Sequence, residues 1–131
     1  MEVNLLFDTQ AFLWWCLTAP KMTPAALAAL DEAEQVFLSP VTLWEIGLKG
    51  SGRGFDFQLP DHWETVLPAH AERYQVSWLP ISPRHCRLIQ DLPLHHKDPF
   101  DRMLIAQALE EKCAVIGSDS AFEKYGVKRL W

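Results

Sequence analysis

Val3-Asn4-Leu5-Leu6-Phe7-Asp8-Thr9 is a short apolar run that stops on an acid. It is too short for a buried helix and is bounded by a residue that starts helices, so it reads as a buried strand. Thr9 to Leu17 then reads as helical. Outward from this pair the same alternation repeats. Val36 to Leu38, Val76 to Ile81 and Ala114 to Gly117 read as strands, with Lys128 to Trp131 as a small last one. Between them, Thr23-Pro24 opens a helix running to about Glu34, Pro40 one running to Gly50, Pro60 or Asp61 one running to about Tyr74, Ser82-Pro83 one ending near Leu92, and Pro99 one running to Lys112. A short helix follows from Ser120 to Tyr125. Pro behind Ser, Thr or Asp is a helix start, because its missing N–H needs no partner in the first turn. Strands alternating with helices predict an α/β fold whose parallel sheet, of four to five strands, is covered on both faces. In such sheets function gathers beyond the carboxyl ends of the strands, where Asp8 and Asp119 fall.

The 131 residues are the size of one domain, read as residues 1–131. With 49 % apolar and 22 % charged residues the composition is that of a soluble globular chain. No apolar run approaches the ~18 residues of a membrane span, and the first residues lack the basic and small-residue features of a signal peptide. Cys16, Cys86 and Cys113 are odd in number, without metal spacing, and in apolar surroundings. They are expected to be buried reduced thiols of a cytoplasmic protein. The net charge of −5 argues against a nucleic-acid binder unless bound cations offset it.

Four acids stand in telling places. Asp8 and Asp119 each follow a strand, where the ordinary role of Asp is to cap the next helix. Glu45 shares a helix face with Val41 and Leu48, and Asp101 one with Leu104, Ile105 and Ala108. A carboxylate on an apolar face needs a partner: a metal, or an internal ion pair with Lys49 or Arg102. Two carboxylates ~5 Å apart at an effective dielectric of ~20 repel by about 3 kcal/mol. A hard divalent cation relieves that, and Mg²⁺ and Mn²⁺ favour oxygen ligands. Such a site suits hydrolysis of phosphate esters.

At these residues the chain resembles the PIN-domain family, and within it the VapC-type toxins of type II toxin–antitoxin pairs. Leu5-Leu6-Phe7-Asp8-Thr9 with Phe12-Leu13-Trp14-Trp15 matches the first motif. Ser39-Pro40-Val41-Thr42-Leu43-Trp44-Glu45-Ile46 with Lys49 matches the second. His96-Lys97-Asp98-Pro99-Phe100-Asp101-Arg102-Met103-Leu104-Ile105-Ala106-Gln107-Ala108 matches the third and is the most specific. Val115-Ile116-Gly117-Ser118-Asp119 with Phe122 and Tyr125 matches the fourth. The resemblance implies a single PIN-like domain built as a three-layer α/β/α sandwich. It implies a Mg²⁺- or Mn²⁺-dependent endoribonuclease whose catalytic and metal-binding acids are Asp8, Glu45, Asp101 and Asp119. Thr9 and Ser118 would supply hydroxyls just outside the ligands, and a homodimer and a small inhibitory antitoxin are implied as partners. Water attack would leave a 5′-phosphate and a 3′-hydroxyl. Gln10 and Ser118 depart from the His and Thr common in the family, and neither removes a carboxylate.

Asp98 precedes Pro99 and is a natural cap; its other reading is an additional metal contact. Lys49, Arg53, Lys97 and Arg102 are candidate RNA contacts forming a basic rim, or ordinary surface charge. His95 and His96 read as loop histidines, because adjacent side chains diverge and no zinc spacing accompanies them. Trp14, Trp15 and Trp44 read as packing or as base platforms, and Trp63 and Trp78 as core. A non-catalytic PIN-like module binding RNA or protein is the alternative function. A haloacid-dehalogenase-type phosphatase is disfavoured, since that chemistry needs a second Asp where Gln10 stands.

Overall fold

The computed structural model describes residues 3–50 and 58–131. In chain order these form β1 (Asn4–Phe7), α1 (Thr9–Leu17), a 3-10 turn (Ala19–Lys21), α2 (Pro24–Glu32), β2 (Gln35–Leu38), α3 (Pro40–Gly50), α4 (Trp63–Arg73), β3 (Ser77–Trp78), α5 (Pro83–Asp91), α6 (Pro99–Glu111), β4 (Ala114–Ile116), a short 3-10 helix (Ser120–Tyr125) and β5 (Arg129–Leu130). Among the described residues the strands make one five-stranded sheet in the order β3-β2-β1-β4-β5, every pairing parallel.

The period-two alternation of the strands sorts the core into two halves. Leu5, Phe7, Ala114 and Ile116 pack with Phe12 and Leu13 of α1, Ala26 of α2 and Leu67 and Ala71 of α4. Leu6 and Val115 face the other way, onto Leu104, Ile105 and Ala108 of α6, with Phe122 and Val127. These are the three layers of the α/β/α sandwich. The expected helix starts carry their bonds. The Ala26 N–H donates to the Thr23 hydroxyl ahead of Pro24, Ser82 and His85 form a reciprocal capping box ahead of α5, and Asp98 accepts from the Phe100 and Asp101 amides.

The topology also locates the crevice. From β1 the chain lays β2 and β3 to one side, and only later returns to place β4 on the other. The switch point therefore lies between β1 and β4, which is where ligands enter open parallel sheets. The register pairs Phe7 with Ile116, so both strands end level. The Asp8 N–H donates to the Ile116 carbonyl at 3.0 Å.

Several local expectations are corrected. The strand expected over Val76 to Ile81 shrinks to Ser77–Trp78, because the Leu79 N–H makes the last bond, to Leu38, and Pro80 has none to offer. As part of an edge strand, Trp78 is exposed rather than core. Trp63 does pack against the core, partly buried. Cys86 is exposed on α5, Cys16 is half-buried and Cys113 is buried; all three are free thiols. Leu48 is exposed, so the inward face of α3 is Val41, Thr42, Glu45 and Ile46.

Candidate active site

At the switch point lies an open cleft of about 270 Å³ lined by Asp8, Thr9, Gln10, Glu45, Lys49, Asp98, Asp101, Ser118, Asp119 and Phe122. The four acids singled out from the sequence are brought together there. Asp8 comes from the end of β1, Glu45 from the inward face of α3, Asp101 from the first turn of α6, and Asp119 from the turn after β4.

Asp8 serves as cap and cleft wall at once. Its Oδ1 accepts from the Ala11 N–H at 2.7 Å, which starts α1. The other oxygen lies against Gly117, where any β-carbon would collide with the carboxylate. Asp8 is 5 % exposed. Burial, reinforced by the charges of Asp101, Asp119 and Glu45, pushes its pKa up to about 7 against the opposing Ala11 hydrogen bond.

Glu45 is 4 % exposed. Of the two partners considered for it, the ion pair with Lys49 is real: Nζ donates to Oε2 at 2.5 Å. The pair leaves Oε1 buried without a hydrogen-bond partner. Asp101 is half-buried rather than core, and its partner is neither Lys49 nor Arg102 but His96, with Nε2 2.7 Å from Oδ2. Its pKa is raised to about 6, chiefly by burial; the His96 bond opposes the rise, and Asp98 and Glu45 add to it. Asp119 is exposed and caps the following 3-10 helix through Ala121. Asp98 is the cap expected of it, and its second oxygen stands 4.0 Å from Lys49.

Thr9 is buried against Thr42, hydroxyl to hydroxyl at 3.3 Å. Ser118 is exposed on the cleft rim. Lys49 is held in the cleft: burial alone lowers its pKa, but the Glu45 hydrogen bond and the charges of Glu45, Asp98 and Asp101 raise it overall. Lys97 is exposed, and Arg53 lies outside the described residues.

Arg102 is not a rim residue. Its guanidinium donates to the carbonyls of Ile89, Leu92, Pro93 and His96 and to the Tyr125 hydroxyl. It ties the segment between α5 and α6 to α6 itself. Arg102→Met is therefore expected to lose about 2–3 kcal/mol of stability in urea unfolding, as charge-assisted bonds to carbonyls are lost. Hydrogen exchange should rise over residues 92–98 first.

The residues that sequence reasoning missed are His96, Thr42 and the donor end of Gln10. No zinc spacing surrounds His96, yet it stands five residues before Asp101, across the start of α6, and bonds to it. The Gln10 Nε2 is buried without a partner beside the acids. Its signal was the departure from His already visible in the first motif.

The donor set fits a hard divalent cation. It is rich in carboxylate oxygen, it includes a buried oxygen left without a partner, and a glycine makes room for Asp8.

The PIN domain family model matches residues 5–128. Comparison with curated proteins gives no significant match. Among solved structures, VapBC2 from Rickettsia felis bound to a DNA fragment from its promoter aligns with a TM-score of 0.68 at 8 % identity, covering 98 % of this chain and 100 % of that one. DNA-bound VapBC from Salmonella typhimurium aligns at 0.69 with 13 % identity, covering 97 % and 96 %. FitAcB from Neisseria gonorrhoeae aligns at 0.64 with 20 % identity, covering 95 % of each chain.

Proposed function

Since this chain belongs to the PIN-domain family, we propose that it is a Mg²⁺- or Mn²⁺-dependent endoribonuclease, the toxin of a type II toxin–antitoxin pair. The observation that carries the reading is the convergence of Asp8, Glu45, Asp101 and Asp119 on one cleft at the switch point of the sheet. Two of the acids are nine-tenths buried or more, and one keeps an orphaned oxygen. Structural ion pairs do not need that arrangement.

Asp8, Glu45, Asp101 and Asp119 would hold the cation. Bound there, it supplies Lewis-acid polarisation of a phosphoryl oxygen and water of lowered pKa. The chain's own residues do the rest. The Ala11 amide and the Thr9–Thr42 contact hold the end of β1 in place. Lys49 stands between Glu45 and Asp98, where a phosphate entering the cleft meets positive charge despite the chain's net charge of −5. The Ser118 hydroxyl, exposed on the cleft rim, is a donor for phosphate oxygens. Trp44, one residue before Glu45, is 60 % exposed and offers its face to an unstacked base. Exposed Lys97 extends the rim in this reading.

Water attack would leave a 5′-phosphate and a 3′-hydroxyl. Support for an antitoxin partner comes from the neighbours, whose structures are toxin–antitoxin complexes. A homodimer is carried over from the resemblance. Among the described residues no helix is long and apolar enough to cross a membrane, and the three cysteines are free thiols; a cytoplasmic site of action is proposed on the thiols.

The test is end-mapping of total RNA incubated with purified protein and Mn²⁺ or Mg²⁺, against an EDTA control. Metal-dependent cuts bearing 5′-phosphates are expected. Tight RNA binding with no cuts under either metal would replace the enzyme with a binding module.

A further inference from the structure

We infer that His96, bonded to the cleft acid Asp101, is a nitrogen ligand for the ion held there, giving the site a preference for a divalent transition-metal ion over Mg²⁺. The inference rests on the metal-site reading above and specifies which ion the outer half of the site selects.

One donor atom each of His96, Asp101 and Asp119 lie within 4.8 Å of one another. This is a grouping that the four acids alone do not describe. Asp8 and Glu45 line the cleft from its buried side, whereas His96 and Asp101 are half-buried and Asp119 is exposed. Asp101 joins the two halves.

Ligands at about 2.1 Å from an ion stand about 3 Å apart when cis and about 4.2 Å apart when trans. The 2.7 Å between His96 Nε2 and Asp101 Oδ2 is close to a cis edge. The 4.8 Å that bounds the whole set is near the trans separation.

His96 is also held in place by contacts that a solvated loop histidine would not need. Its carbonyl accepts from the Arg102 guanidinium at 3.3 Å and from the Tyr125 hydroxyl at 3.5 Å. The neighbouring His95 ring packs edge-on against Tyr125. Arg102 reaches the same segment at Ile89, Leu92 and Pro93. The imidazole is thus presented to Asp101 by a braced loop, and the buried, unpartnered Glu45 Oε1 shows that the cleft which Asp101 and Asp119 line has donor capacity its own side chains do not use. Imidazole suits transition metals, whereas Mg²⁺ takes oxygen and water. One imidazole added to a carboxylate set therefore shifts the preference away from Mg²⁺ and toward divalent transition-metal ions, of which Mn²⁺ tolerates oxygen-rich sites and serves as the paramagnetic probe.

The experiment is Mn²⁺ titration of the full chain by electron paramagnetic resonance and calorimetry, with electron spin-echo modulation on the bound ion. Wild-type protein is expected to show ¹⁴N modulation of a coordinated imidazole. His96→Gln should abolish that modulation and weaken Mn²⁺ binding about tenfold, with Mg²⁺ affinity changed less than about twofold. His95→Gln should leave both as in wild type. Saturable Mn²⁺ binding without ¹⁴N modulation, or equal losses for both metals in His96→Gln, would overturn the assignment of His96 and leave the acidic site standing. No saturable binding of either metal by wild-type protein would instead remove the metal-site reading itself.

Discussion

Asp8→Asn is expected to lower RNA cleavage by on the order of 10³-fold while making the metal-free protein more stable. The two halves of the prediction have one cause. A metal-held phosphoryl oxygen is stabilised by several kcal/mol, and about 1.4 kcal/mol is tenfold in rate, so removing one of the two buried carboxylates of the cleft forfeits roughly three decades. Stability moves the other way. The Asp8 carboxyl is raised from 3.8 to about 7 by burial and by the charges of Asp101, Asp119 and Glu45. Between these values the folded, metal-free protein holds a proton that the unfolded chain has released. Its stability therefore falls as pH rises from about 4 to about 7, and levels off above that. Three pKa units correspond to a ceiling of about 4 kcal/mol. Asn keeps an oxygen for the Ala11 N–H and carries no charge. In EDTA at pH 8, Asp8→Asn should thus melt above wild type. The gap should close on acidification to about pH 4, with a residual pH slope in both proteins from Asp101, raised to about 6. Mn²⁺ should stabilise wild type and flatten its pH dependence, and should do little for the variant. An Asp8→Asn protein that cleaves RNA normally would end the proposed chemistry. One less stable than wild type at pH 8 in EDTA would show that the buried charge is already compensated.

How far the site was legible depends on whether a residue's role is set along the chain or across it. β1 ending on Asp8 was readable because a strand followed by a capping acid is local, and the same holds for Asp98 before Pro99 and Thr23 before Pro24. Glu45 was readable from helical period alone, although Leu48, taken to share its face, turned out exposed. What failed was long-range pairing. Arg102 looked like a rim cation next to Asp101. Its real partners are carbonyls thirteen to six residues upstream and Tyr125, which only the packing of α5 against α6 brings near. His96 is the loop histidine the sequence suggests, but its bond to Asp101 carries no spacing signature. Its neighbours Asp101 and Asp119 sit on different elements and meet only beyond the carboxyl ends of the central strands. Trp78 failed for a related reason: an apolar residue in a strand says nothing about whether that strand lies at the edge, and here Pro80 ends β3 after two residues.

Gly117→Ala is expected to disable the site without touching any acid. Gly117 follows β4, level with Asp8, and a β-carbon there would overlap Asp8 Oδ2 and crowd its Cγ at 2.6 Å and its Cβ at 3.3 Å. Neither side can yield easily. Asp8 is a short side chain whose Oδ1 is fixed by the Ala11 amide and whose own N–H is bonded to Ile116. The Gly117 backbone donates to the Leu130 carbonyl and accepts from Arg129 Nη1 at 3.2 Å. The glycine is thus required by close approach between neighbouring strand ends. Overpacking a fixed position costs about 1–3 kcal/mol. A carboxylate swung out of place loses most of its value, since a 1 Å misplacement near the chemistry costs about 10²-fold. Gly117→Ala should therefore lower cleavage by about 10²-fold, weaken Mn²⁺ binding in calorimetry, and reduce stability in urea. The same variant made in an Asp8→Ala background should show almost none of that stability loss, because the group it collides with is gone. Such non-additivity is the mark of direct contact. Equal stability losses in the two backgrounds would mean that the alanine disturbs β4 itself, and wild-type cleavage by Gly117→Ala would show that Asp8 does not need the position the structure gives it.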